Sequence, residues 1–434
     1  MSSRKTKRAE TGTPDGTPKA RKASATESST NNVNGTDKVA KFDPVALGLP
    51  ADFVLTDYTR LKGCSCKVPQ PKLLELLRHV AAGQATPTAQ LVGDCDEGAC
   101  SRHKGNVGMD CSILPLNRKD EHGKELFIVS TTDFFFPSVE DPYLQGQIGA
   151  ANVLSDMYSM GITKCDTMLM LLAASTDMDA EQERYVVTGE IMKGYVERTA
   201  LGGAKVTGGQ TVLNPWPLIG GVAMSVVSED EMITPKIGLN DVVVLTKPIG
   251  NQLAVNLKQW TKRPSPLYKK CIEGQMSLEE IDELYYQAAA NMARLNLTGA
   301  QLMQKYKARG STDVTGFGIL GHAINYAEAH EASRTSDKEP SLQIILDVIP
   351  TLKGAIKASR LIDDKYKLFQ GLSAETSGGL LVSLPSEAAA KAYMKDLKTA
   401  AYGGYDSWIV GRVVERPKGA PYAVLSPSVQ FLEV

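Results

Sequence analysis

The chain runs to 434 residues, 42% of them hydrophobic and 22% charged, with seven cysteines and a formal net charge of -1. That length can bury the cores of two domains with room for a third, and the balanced charge argues against a nucleic-acid binder that works by counterion release. An odd, low cysteine count argues against a secreted disulfide framework, and no apolar run reaches the roughly 18 residues of a membrane span. A cytoplasmic protein with no nucleic-acid and no membrane partner is expected.

Residues 1–41 read as a disordered basic tail. The first forty contain no Leu, Ile, Phe, Tyr or Trp, and basic clusters stand at Arg4-Lys5-Thr6-Lys7-Arg8 and Lys19-Ala20-Arg21-Lys22. No apolar stretch follows the basic start, so a secretory signal fails, while a nuclear address stays open beside a plain solvated tail.

Gly63-Cys64-Ser65-Cys66-Lys67 then places two thiols one residue apart with a lysine behind them, near Pro69 and Pro71. The thiolate is the nucleophile, and a neighbouring ammonium that lowered a pKa of ~8.5 by about 1.5 units would half-ionise it at neutral pH. Two spare cysteines in a surface turn remain the alternative. Cys95, Cys100, His103 and Cys111 could make a tetrahedral zinc site, although their spacing is irregular and an ordinary loop is the plainer reading.

Strands are expected at Glu125 to Ser130, Met168 to Ala174 and Ile219 to Val227, and helices at Tyr143 to Met160 and Ala180 to Leu201. These make a first α/β domain over residues 42–232. A second, mixed α and β domain over 233–434 opens on the strand Asp241 to Thr246 and continues through one long helical stretch, Leu278 to Lys307. Its later strands are Leu342 to Leu346, Leu380 to Ser383 and Trp408 to Val413.

No Walker-type phosphate loop is present. Instead Asp110, Asp133, Asp156 and Asp313 stand at element ends or on a helix, where carboxylates can hold Mg²⁺ against nucleotide phosphates. Asn152 and Asp156, spaced i, i+4, share one helical face. Thr207-Gly208-Gly209-Gln210-Thr211 reads as a turn after a short strand whose amides can approach an anion, and Thr376-Ser377-Gly378-Gly379 reads as a loop before a strand. Gly316-Phe317-Gly318-Ile319-Leu320-Gly321 with Asp337 matches the dinucleotide fingerprint formally. The polar Lys307 to Ser311 stands where its buried strand should be, so a nicotinamide site is set aside.

In order, Gly63 to Lys67, Thr131 to Phe134, Ala151 to Asp156, Thr207 to Thr211 with Asn214-Pro215-Trp216, Thr312 to His322 and Glu375 to Leu380 resemble the selenophosphate synthetases, from about Leu55 to Val413. The resemblance implies the two-domain aminoimidazole-ribonucleotide-synthetase-like (PurM-like) architecture, α/β followed by α+β, with a homodimer built on the first sheet. It implies synthesis of selenophosphate from ATP, selenide and water with Mg²⁺, giving AMP and phosphate. The family's reactive cysteine falls on Cys64 and its essential lysine on Lys67, in a mobile flap. Its Mg²⁺ and ATP carboxylates fall on Asp110, Asp133, Asp156 and Asp313, with Asp110, Asp156 and Asp313 as the metal set. Nucleotide contacts fall on Lys67, Gly108, Met109, Asp110, Asp133, Asp156 and on Gly208, Gly209, Gln210 and Thr211.

Ser65 replaces the family's usual glycine spacer. With the resemblance, Lys67 reads as a phosphate contact rather than a pKa-lowering neighbour, and Cys66 as a helper or structural thiol. The competing readings are a kinase or amidine-forming synthetase of the same superfamily, which has no need of paired thiols, and a catalytically silent relative, which has no need of Cys64, Lys67 and four aspartates together.

Overall fold

The computed structural model describes residues 39–68, 72, 75, 76, 110–178, 180–334, 336 and 339–434. Residues 1–38 of the expected tail, Gly108, Met109, Asp337 and the stretch with Cys95, Cys100 and His103 lie outside them. Residues Asn34–Val434 group as one compact unit.

Strands β1 (Ser112–Lys119), β2 (Glu125–Phe135), β3 (Thr167–Ser175), β4 (Val206–Asn214) and β5 (Leu218–Ser228) form a sheet in the order β1-β2-β5-β3-β4. Only β3 and β4 run parallel, joined by the crossover helix α2 (Glu181–Leu201). Helix α1 (Pro142–Ser159) begins where Asp141 accepts from the Tyr143 amide at 2.9 Å and Pro142 presets the first turn. An added Cβ at Gly146 would meet the Ile191 carbonyl at 2.0 Å, so the missing side chain is what lets α1 and α2 pack backbone to backbone. The other side of α1 faces the sheet and the second half of the chain. Ile148, Val153, Leu154 and Met157 are wholly inaccessible, each contributing roughly 1.5–3 kcal/mol of burial, which fixes Asn152 and Asp156 on a rigid helix.

The second half holds β6 (Val242–Leu245), α3 (Asn251–Lys262), α4 (Pro266–Cys271), α5 (Leu278–Ala293), α6 (Leu297–Lys305), β7 (Gly310–Asp313), α7 (Gly318–Ala332), β8 (Leu342–Thr351), α8 (Ala355–Leu361), β9 (Leu380–Leu384), α9 (Glu387–Leu397), β10 (Trp408–Glu415) and β11 (Ala423–Glu433). Its six strands lie in the order β11-β8-β10-β6-β9-β7. The apolar cluster of the first half continues through Tyr285, Ala289, Met292, Met303 and Val382, so one core spans both halves.

Three expectations are corrected. The single helix over Leu278 to Lys307 is two, because Arg294 is pinned in an extended conformation: its guanidinium donates to the Thr246 carbonyl and its own carbonyl accepts from buried Lys247, both at 2.7 Å. The Gly208–Thr211 run is not a turn after a strand but the middle of β4, where Leu169 to Leu172 of β3 pair with it. A buried strand, β7, does precede Gly316; it lies at the sheet edge antiparallel to β9, so β7-α7 is not part of a parallel βαβ unit.

Candidate active site

Cys64–Cys66 form one tight 3-10 turn that is seated between the two halves. Gly63 bonds through its amide to the Phe136 carbonyl at 2.9 Å, and the Cys64 amide donates to Thr376 Oγ1 at 3.0 Å. Gly63 has φ +47° and ψ -153°, a region essentially reserved for glycine, and an added Cβ would stand 2.3 Å from Thr376 Oγ1. Gly63→Ala is therefore expected to undock the flap at a cost of roughly 1–3 kcal/mol, read as faster alkylation of Cys64 in the folded protein. Wild-type labelling rates in that variant would show that the flap tolerates the Cβ.

The turn after β7 passes directly beneath this flap. A Cβ on Gly316 would lie 2.8 Å from the Cys64 carbonyl and 3.2 Å from Lys67 Cδ. Lys67 reaches from the flap to Asp133 Oδ2 at 3.6 Å, with about a third of its side chain still exposed.

Asp110, Asp156 and Asp313 converge from the start of β1, the last turn of α1 and the end of β7, and one carboxylate oxygen of each lies within 4.8 Å of the others. Ser159 Oγ donates to Asp110 at 2.9 Å, Thr131 Oγ1 donates to Asp156, and Asp313 Oδ2 is buried without a hydrogen-bond partner among the described residues. Burial pushes the Asp110 carboxyl up to about 7, with Asp313 adding to the rise and the Ser159 and Thr312 hydroxyls opposing it. Burial and then Asp313, Asp133 and Asp110 hold Asp156 well above the ordinary carboxylate range. Three hard oxygen donors crowded at this distance, one of them an orphan, fit Mg²⁺.

Burial draws the Lys67 ammonium down, but Cys64, Asp133, Asp156 and Asp313 outweigh it and hold the group above the usual lysine range. The first reading of Lys67, as the neighbour that half-ionises a thiol at neutral pH, does not hold for Cys64. Cys64 is 0% exposed, and burial followed by the Asp133 charge raises its pKa far above that of a free thiol; the Lys67 pull in the other direction loses. Cys64 Sγ stands 3.5 Å from Asn152 Oδ1, and Cys66 Sγ donates to the Gly63 carbonyl at 2.9 Å.

A cavity of about 430 Å³ lies beside these groups, lined by Lys67, Asp110, Thr131, Asp133, Asp156 and Asp313 together with Phe317, His322, Asn325 and Tyr326. Cys64 is not among its lining residues. His322, whose Nε2 lies 3.2 Å from Thr315 Oγ1, is held neutral by burial, its pKa pulled down to about 3. The sequence placed it within a motif without assigning it a role. Thr376 and Ser377, read as an ordinary loop within the Glu375 to Leu380 motif and given no role there, touch the flap and Asn152.

Thus Lys67 and all four aspartates come together, and Cys64 sits just behind them. Gly208, Gly209, Gln210 and Thr211 do not join this cavity. They lie three strand spacings from β2, about 14 Å away across the sheet.

Residues 108–227 match the AIR synthase related protein N-terminal domain, and residues 239–424 the corresponding C-terminal domain. A selenide, water dikinase of Leishmania major is 58% identical, over 92% of this chain and 95% of its own length. The chain belongs to the selenide, water dikinase family. A family member from Trypanosoma brucei brucei is 57% identical over 92% of this chain and 94% of its own, and human selenide, water dikinase 2 is 43% identical over 89% of each. Among solved structures, AaThiL complexed with AMPPCP and TMP shares the fold with a TM-score of 0.53 at 14% identity, covering 83% of this chain and 96% of its own. The thiamine monophosphate kinase of Aquifex aeolicus follows at 0.51 and 15%, covering 83% and 99%. The chain thus has the two-domain PurM-like architecture expected from sequence.

Proposed function

We propose that this chain makes selenophosphate from selenide, ATP and water, releasing AMP and phosphate, for selenocysteine synthesis in the cytoplasm. The observation that carries the reading is one cavity edged by Lys67 and four carboxylates beneath a flap that bears two thiols. A simple kinase needs the first feature and not the second. No helix among the described residues is long and apolar enough to cross a membrane.

Asp110, Asp156 and Asp313 would hold Mg²⁺, which would supply positive charge to neutralise and orient the phosphates of ATP. Asp133 keeps Lys67 extended toward the cavity, where its ammonium meets the charge that develops on the transferring phosphoryl group. Phe317, His322 and the wall of α7 narrow the space left to bulk water. Cys64 handles selenium once the flap lifts, since its sulfur is inaccessible while Gly63 and Thr376 hold the turn down. In this reading residues 42–232 supply the nucleotide half and residues 233–434 the covering half.

The enzyme works as a homodimer through the outer face of the first sheet. The strand register puts Leu114, Phe134, Val212 and Val226 on that face, and all four are exposed. A second copy docked there brings Gly208–Thr211 toward the nucleotide of its partner, the role these residues lack within one chain. Val226→Asp changes an exposed position and should leave the fold intact, yet shift the sedimenting species from twice 46.7 kDa to 46.7 kDa. A variant that stays at twice that mass would move the interface elsewhere.

ATP turnover with and without selenide under anaerobic conditions tests the activity. Selenide-dependent formation of AMP and selenophosphate is expected. Selenide-independent turnover to ADP would indicate a kinase, and no turnover a silent relative.

A further inference from the structure

A fully buried asparagine in the interior of α1 is an unfavourable choice unless its amide is satisfied, because mid-helix asparagine is a poor helix former and a buried polar group without partners is costly. Asn152 has its partners, and they come from three separate segments. Its Oδ1 accepts from the Ser377 amide at 2.8 Å and faces Cys64 Sγ at 3.5 Å. Its Nδ2 donates to Asp133 Oδ2.

Two of those contacts fix which way the amide points. A backbone N–H can only donate, so the atom facing Ser377 is oxygen; a carboxylate can only accept, so the atom facing Asp133 is nitrogen. The orientation thus follows from the partners on both sides. The atom presented to Cys64 is the carbonyl oxygen, an acceptor, and the sulfur must meet it as an S–H donor. The loop that supplies Ser377 is itself held firmly: Ser377 has φ +49°, and its carbonyl accepts from the Lys247 ammonium at 2.8 Å. Asn152 therefore cannot turn without breaking both neighbours.

We propose that Asn152 is a positioning residue for the reactive thiol: its side-chain carbonyl caps Cys64 as a hidden, protonated thiol in the docked flap and ties it to Asp133, the partner of Lys67. One amide then links the selenium-handling group to the phosphate-handling lysine, and shields the thiol from electrophiles until the flap lifts. The inference concerns the Cys64 of the function proposed above, but its test reads the thiol directly and needs no turnover.

The measurement is the rate of iodoacetamide alkylation at each cysteine of the full-length, nucleotide-free protein, followed by peptide mass spectrometry. Asn152→Leu keeps the volume and removes the acceptor. Asn152→Ser is too short to span Cys64 and Asp133 and serves if the leucine protein does not fold. Loss of one buried hydrogen bond should speed labelling of Cys64 by roughly three- to tenfold, while buried Cys111 and Cys165 keep their wild-type rates. Unchanged labelling of Cys64, or an equal rise at Cys111 and Cys165, would overturn the proposal; the second result would mean that Asn152 only stabilises the fold.

Discussion

Cys64→Ser should abolish selenide-dependent AMP formation, by roughly a thousandfold or more, in a protein that melts within a few degrees of wild type. The serine fits the same space and its hydroxyl can still donate to Asn152 Oδ1, so packing around the flap survives. What is lost is the polarizable sulfur, and a hydroxyl cannot replace it as a nucleophile near neutral pH. Lys67→Met tests the phosphate side of the same reaction. It keeps the aliphatic stem over the Gly316 turn but removes the charge beside Asp133, so it should cost roughly 10²–10³ in selenide-dependent turnover of ATP. If Cys64→Ser kept full selenide-dependent turnover, the thiol would have no chemical role, and the flap would be only a cover for the nucleotide.

Much of this site was legible because each residue sits in a short run whose local chemistry announces it. Asp110, Asp133, Asp156 and Asp313 are scattered over some 200 positions, yet three stand in threonine- or glycine-containing runs and Asp156 shares a helical face with Asn152, and the four do converge. Helix α1 was readable for the same reason that it matters, since its apolar positions leave Asn152 and Asp156 as conspicuous exceptions on one face. What local pattern could not supply was the environment of Cys64. Its pKa direction depends on being sealed beneath Gly63 and beside Asp133, which are tertiary facts, and burial outweighed the adjacent lysine that sequence brought to mind. Strand β4 was missed because glycines weaken a strand by propensity, and only its pairing with β3 makes it one. The helix break at Arg294 likewise rests on bonds to Thr246 and Lys247, about 50 residues away.

Asp156→Asn should move activity and stability in opposite directions. In the metal-free protein the three carboxylates oppose one another, and both Asp110 and Asp156 have pKa values raised by burial and by their neighbours. A carboxyl whose folded pKa lies above its unfolded value is protonated in the fold while the unfolded chain is ionised. Its stabilising contribution is present at low pH and lost as pH rises, for Asp110 between the ordinary value of 3.8 and about 7. Metal-free wild type should therefore melt lower at pH 8 than at pH 5. Mg²⁺ should reverse that fall by binding the ionised set, with an affinity that climbs as pH rises toward about 7 and then levels. Replacing Asp156 by its neutral isostere removes one charge from the cluster while leaving an oxygen for the Thr131 hydroxyl. At pH 8 without metal the variant should melt a few degrees above wild type, its stabilisation by Mg²⁺ should largely disappear, and turnover should fall roughly a hundredfold or more. Calorimetry at two pH values, with and without Mg²⁺, checks all of this in one series. A variant that melts below wild type without metal and still responds fully to Mg²⁺ would mean that Asp156 is a structural carboxylate and that the cation is held elsewhere.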